Sequence, residues 1–202
     1  MLFRSRTILV APNTNDDLSE EDIPWELVAG AEYVHFTSFA GHGPLMVQGR
    51  LARRLPDGPH LSLDPGELYA RQGWLAIEDI LDHLETLIVT EAEWAMLGGE
   101  MGRHPNWGPP LIVIKRGAKG ARLLNPFRHL DFPVEFFGRP VDTLGAGDVF
   151  AAGYIAGRWG GLHVNAAVRL GNRAAAFSLL GRGRKSYPDK DFLEAQIIAL
   201  SG

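Results

Sequence analysis

Apolar and polar positions along this chain follow two alternating rhythms. Short apolar runs end at Gly, Pro or polar clusters, and between them apolar residues recur at helical spacing. That alternation is the pattern of a mostly parallel α/β sheet with crossover helices. It predicts strands at residues 7–11, Tyr33–Thr37, His60–Asp64 and Thr86–Thr90. Helices are expected near Trp25–Ala29, over residues 45–55, along Trp74, Ile77, Ile80, Leu81 and Leu84, and over residues 91–97. Ser19-Glu-Glu-Asp22 has the form of a capping box ahead of the first of these. Residues 98–110, rich in Gly and Pro, read as a connection. The texture then changes. Leu111–Lys115, a turn over residues 117–120 and a run at 121–124 read as a hairpin, with another strand over residues 132–137. Helices over about 149–158, 164–180 and 189–200 complete the chain. There is no internal repeat, low-complexity tract or linker, so residues 1–202 are expected to form a single domain.

Composition removes several functional classes. At 46% hydrophobic and 22% charged the chain has globular values, and 202 residues can bury roughly 70% of the unfolded surface. A net charge of -4, with no basic run, argues against a nucleic-acid surface. The chain has no Cys, which excludes disulfides, thiolate zinc sites and Cys nucleophiles, and suits a cytoplasmic location. No apolar run approaches the roughly 20 residues of a membrane span, so no membrane contact is expected. No long apolar core follows the basic residues near Met1, which argues against a secretory signal. The seven His show no metal-binding spacing, and no Gly-x-Ser-x-Gly elbow is present.

The chemistry concentrates at Val141-Asp142-Thr143-Leu144-Gly145-Ala146-Gly147-Asp148. These residues read as a strand end, a glycine loop and a helix start. Gly145 and Gly147 permit close backbone approaches, and amides of the loop and the first helical turn favour negative charge at one spot. Asp148 would stand beside that spot, placed to accept a hydroxyl proton. An anion cradle beside a general base suits phosphoryl transfer to an alcohol. The plainer alternative is a strand-to-helix turn with packing glycines.

Residues 142–148, continued by Val149-Phe-Ala-Ala-Gly153-Tyr-Ile-Ala-Gly157, resemble the C-terminal signature of the ribokinase-like (PfkB-type) carbohydrate kinases. The resemblance implies a three-layer α/β ribokinase-like fold and ATP-dependent phosphorylation of a sugar or nucleoside. Asp148 would be the base, and Gly145, Ala146 and Gly147 the anion hole. Thr90-Glu-Ala-Glu93 falls where the family carries Asn-x-x-Glu, associated with magnesium and phosphate. Thr90 departs from that pattern, and Thr-x-x-Glu is also a capping box. Glu93 and Asp142 are the implied metal residues, Asp142 through a monovalent-cation loop or, more plainly, a loop-fixing hydrogen bond. Lys115-Arg-Gly117-Ala-Lys-Gly120 resembles the hairpin bordering the nucleotide, with Lys115, Gly117 and Gly120 near it and Arg116 or Lys119 as sources of charge. Gly171-Asn172-Arg173-Ala-Ala-Ala176 resembles the helix flanking adenine, with Asn172 in reach of the base; a tightly packed core helix is the alternative. Ser62-Leu-Asp64-Pro-Gly is similar to sugar-kinase members.

The chain resembles only the later part of the family's usual length. The opening strand, a sugar-gripping Gly-Gly segment and most of the lid have no counterpart. It is therefore expected to be a fragment or miscalled start of a kinase. The alternatives are an inactive nucleotide-binding or assembly protein and a site completed by a partner chain. Unpaired sheet edges would favour homo-oligomers.

Overall fold

The computed structural model describes residues 10–55, 58–100 and 108–201. Six strands lie side by side in chain order: β1 Tyr33–Thr37, β2 His60–Asp64, β3 Thr86–Thr90, β4 Leu111–Lys115, β5 Ala121–Asn125 and β6 Arg128–Phe132. β1 to β4 are parallel, whereas β5 and β6 run antiparallel to their neighbours. Connection length explains the switch. Helical crossovers join the parallel strands, and a tight turn can only reverse the chain. The helices are α1 Trp25–Ala29, α2 His42–Arg54, α3 Gly66–Ala70, α4 Trp74–Leu81, α5 Glu91–Met96, α6 Ala146–Trp159, α7 Val164–Ser178 and α8 Lys190–Leu200.

Side chains alternate across a strand, so each strand feeds two cores. Leu63, Leu87, Val89, Ile112 and Ile114 pack with residues of α2 to α5, among them Ile77, Ile80, Leu81 and Trp94. Ile88, Val113, Ala121 and Leu123 pack on the other face with Phe150, Tyr154, Val168 and Leu170 of α6 and α7. The result is the expected three-layer arrangement.

The predicted strands Tyr33–Thr37, His60–Asp64, Thr86–Thr90 and Leu111–Lys115 are all present with those bounds. The expected strand at 7–11 lies mostly outside the described residues, and its described part, Val10 and Ala11, is not in a strand. Residues 101–107 of the Gly/Pro-rich connection are likewise outside them. The helix expected at 45–55 begins earlier, at His42, with Pro44 in its first turn, where a missing N–H is harmless. The Ser19–Asp22 box forms, with Ser19 N–H donating to Asp22 Oδ2 at 2.8 Å, but it closes a 3₁₀ turn just before α1. Helix α3 was not anticipated.

The strand expected at 132–137 is displaced. Asn125 Oδ1 accepts the N–H groups of Phe127 (3.0 Å) and Arg128 (2.9 Å), so the chain reverses at once and β6 runs from Arg128 to Phe132. Its sequence, Arg-His-Leu-Asp-Phe, is polar because it forms a sheet edge, which hides it from a search for apolar alternation.

Candidate active site

The segment from Pro133 to Gly145 is fastened to α7 and α8 along its length. Glu135 pairs with Arg173 of α7 at 3.3 Å. Phe137 stands edge-on to Phe177 and Phe192, each at 6.1 Å between centroids. Val141 N–H donates to the Leu179 carbonyl at 2.7 Å. Asp142 Oδ1 accepts Leu144 N–H at 3.1 Å, a local turn that presets the approach to α6. Here Asp142 fixes the loop by a hydrogen bond, the plainer of its two expected roles.

Gly145 then caps α6 with φ +76, a left-handed conformation that favours glycine. A Cβ there would also collide with the hydroxyl of Tyr187, which packs over the loop. Ala146 N–H faces the Thr143 carbonyl at 3.4 Å, and Val149 N–H donates to Gly145 at 2.9 Å. Gly147 and Asp148 lie in the first turn, where no preceding helical carbonyl meets their N–H groups, so this end of α6 favours an anion. The Asp148 side chain is exposed beside it.

Lys115, the last residue of β4, reaches this same point. Its Nζ lies 3.5 Å from where a Gly147 Cβ would stand. The ammonium is ion-paired with Asp64 at the end of β2. His35 of β1 is hydrogen-bonded to Ser62 at 2.9 Å. Burial pushes the His35 pKa down; Asp64 and Asp148 oppose that shift, while Lys115 reinforces it. A cationic end, an exposed carboxylate and a neutral-leaning imidazole thus share one electrostatic neighbourhood.

Beside them opens a cleft of about 340 Å³. Lys115, Gly117 and Gly120 border it from the hairpin, Ala146 and Gly147 from α6, and Asn172, Ala175 and Ala176 from α7. Val134, Phe136 and Pro140 form an apolar wall that the motif reading missed, because no periodic signal marks an irregular segment. A Cβ on Gly120 would collide with the Phe132 carbonyl, so this glycine has a packing reason beyond the cleft. Asn172 lines the cleft, yet its Nδ2 donates to the Phe132 carbonyl at 2.9 Å. Arg116 is held by Glu91 (3.0 Å) and Asp131 (2.8 Å), which removes it as a source of charge for the cleft.

Glu93 and Asp142 are not among the residues bordering the cleft. Glu93 and Thr90 form the capping box of α5: Thr90 N–H donates to Glu93 Oε2 at 2.7 Å and Glu93 N–H to Thr90 Oγ1 at 3.2 Å. Among the described residues, no three His, Asp or Glu side chains gather to hold a metal ion. Asp64 and Tyr187, like the apolar wall, are neighbours of the site that the sequence does not reveal as such. Asp64 was noted as a motif but not as the partner of Lys115, and nothing in the sequence flags Tyr187.

Residues 4–190 match the model of the pfkB family carbohydrate kinases. The chain belongs to that family. An uncharacterized sugar kinase of Archaeoglobus fulgidus is 30% identical over 178 residues, covering 85% of this chain and 70% of that protein. An ATP-dependent ribose-1-phosphate kinase of Halopiger xanaduensis is 28% identical over 196 residues, 93% of this chain and 62% of that one. Ribokinase from Thermotoga maritima has a similar structure, with TM-score 0.75 at 24% identity over 95% of this chain and 65% of that one. Other proteins of similar fold have been solved with ATP bound. This pfkB-family chain therefore has the ribokinase fold, and it spans less than two thirds of the length of several relatives. Among its described residues, no helix is long and apolar enough to cross a membrane.

Proposed function

We propose that the protein transfers the γ-phosphoryl group of ATP to a hydroxyl of a sugar or nucleoside, with residues 1–202 forming the nucleotide-binding and catalytic portion of a kinase domain. One observation carries this reading: the Lys115 ammonium and the first turn of α6 converge at the mouth of an apolar cleft, with the Asp148 carboxylate exposed beside them. The cleft is suited to a flat base between Phe136, Val134 and the small residues Ala175 and Ala176. Its cationic end is suited to the phosphates.

Asp148 accepts the acceptor's proton as oxygen bonds to phosphorus and ADP departs. Lys115 and the N–H groups at Gly147 and Asp148 stabilise the charge on the transferring group. Magnesium takes few protein ligands and many phosphate and water oxygens, so the sparse carboxylates here fit it only with the nucleotide present. Glu93 keeps lone pairs beyond its capping bond and is our candidate for holding the ion, which would neutralise phosphate charge, while Asp142 would help shape a loop for a monovalent cation. The name of the Halopiger relative makes ribose 1-phosphate a member of the acceptor panel, beside free sugars and nucleosides.

Asp148→Asn tests the assignment. Turnover of any accepted substrate should fall by ~10²–10⁴ while calorimetry shows ATP still bound. Turnover close to wild type would remove Asp148 from the chemistry. ATP binding by the wild type, with no acceptor used, would favour a nucleotide-binding protein without transfer.

A further inference from the structure

We propose that Asp64 is a positioning residue for Lys115, holding the ammonium beneath the first turn of α6 so that an entering phosphate meets a fixed cation. The inference rests on the phosphotransfer reading above. It concerns a residue that takes no direct part in that reading.

Asp64, Thr90 and Lys115 end the three adjacent strands β2, β3 and β4. By strand alternation Lys115 shares the sheet face of Val113, which packs against α6 and α7, and Asp64 shares the face of Ser62. The ion pair therefore bridges the end of β3 directly below the anion-favouring turn. Both side chains are largely enclosed, Lys115 12% and Asp64 14% exposed, so water screens the pair little. The carboxylate is oriented through both oxygens. Oδ1 accepts Gly66 N–H at 3.2 Å, and Oδ2 holds the lysine.

A lysine stem is flexible and its ammonium strongly hydrated, so Lys115 alone would sample many positions. An ammonium has three N–H donors, and Asp64 engages one of them. Donors remain for an anion, and Gly147 leaves the side towards α6 clear of any side chain. The pair is neutral overall. The cation can thus be kept in place beside the Asp148 carboxylate before phosphate arrives, without closing a separate salt bridge to the proposed base.

The experiment uses the full chain and four variants: Asp64→Asn, Asp64→Glu, Lys115→Met, and Asp64→Asn combined with Lys115→Met. Calorimetry with ATP and with adenosine separates phosphate contacts from base contacts. Lys115→Met should weaken ATP by about tenfold or more and leave adenosine unchanged. Asp64→Asn should weaken ATP by about three- to tenfold, add nothing in the Lys115→Met background, and be rescued in part by Asp64→Glu. An ATP affinity unchanged by Asp64→Asn, or an equal loss in both backgrounds, overturns the proposal. Nitrogen-15 NMR of the lysine ammonium groups reads the pair without nucleotide. The Lys115 resonance should shift or be lost in Asp64→Asn and be retained in Asp64→Glu, which also controls for folding. If the wild-type chain fails to bind ATP, the phosphotransfer reading falls, and the NMR result alone then decides whether Asp64 positions Lys115. An unchanged resonance in Asp64→Asn overturns that as well.

Discussion

Large side chains fill both faces of the sheet, but the helices that cover them meet in different ways. Towards α2 to α5 the core is filled by large side chains: Leu63, Leu87, Ile112, Ile114, Tyr69 and Trp94 are all almost completely buried. Towards α6 and α7 the close contacts involve backbone. A Cβ on Gly153 would stand 2.7 Å from the Ala174 Cβ, one on Gly157 3.2 Å from the Ala167 Cα, and one on Gly171 3.0 Å from the Phe150 carbonyl. Large side chains supply burial and tolerate local adjustment of position. Glycine and alanine contribute less burial but leave two helices little freedom to slide, because their backbones are already in contact. The cleft lies on this second face. The α6 start presents Ala146 and Gly147 to it, and α7 presents Asn172, Ala175 and Ala176. One face provides mainly stability, and the other provides mainly placement.

Removing the largest side chain of the first face should have the greatest effect on stability. Trp94 is 1% exposed, meets Trp74 edge-on at 6.5 Å, and donates Nε1–H to the Glu100 carbonyl at 3.1 Å. Trp94→Ala should cost about 3–5 kcal/mol in denaturant titrations. Protein that remains folded should bind ATP normally. A parallel loss of ATP affinity in the folded fraction would mean that the two faces are not separable.

The complementary change is Gly153→Val. Overpacking the helix contact should cost about 1–3 kcal/mol, less than the tryptophan. The shift of α6 against α7 should nevertheless weaken ATP binding more than Trp94→Ala does. Intact ATP affinity in this variant would show that helix spacing does not set the cleft.

The smallest effect is expected where neither packing device is complete, at the half-buried His35 on β1. Burial holds its pKa below the ordinary 6.5, so the unfolded chain takes up the proton more readily than the folded one. Its contribution to stability is therefore present above pH 6.5 and is lost as pH falls through 6.5 towards the depressed value. One such group gives a slope of at most about 1.4 kcal/mol per pH unit. Thermal melts across that range should be flatter for His35→Gln than for the wild type. Identical curves would show that His35 takes up its proton equally in both states.

Legibility followed locality. The strands Tyr33–Thr37, His60–Asp64, Thr86–Thr90 and Leu111–Lys115 were readable because an apolar run bounded by turn residues is a short-range signal. The capping box at Thr90 and Glu93 was readable for the same reason, its partners being three residues apart. Strand β6 was not. Its edge position makes it polar, and its register is set by Asn125 rather than by its own pattern. In the site, the loop at 142–148 carried its own signature. The roles of its neighbours did not: Arg116 and Lys119 looked equivalent as charges until Arg116 was found bound by Glu91 and Asp131.

By itself, then, the sequence determined the α/β class, the order of the elements and the presence of a glycine loop leading into a helix with a carboxylate in its first turn. All of these are encoded within a few residues of one another. The tertiary structure decided which charges meet. Asp64 reaches Lys115 across 51 positions of chain, the Tyr187 hydroxyl settles over Gly145, and Phe136 lines one cleft together with residues of α7. Such pairings depend on how strands are ordered and how closely helices approach, and those are properties of the packed molecule that no local pattern contains.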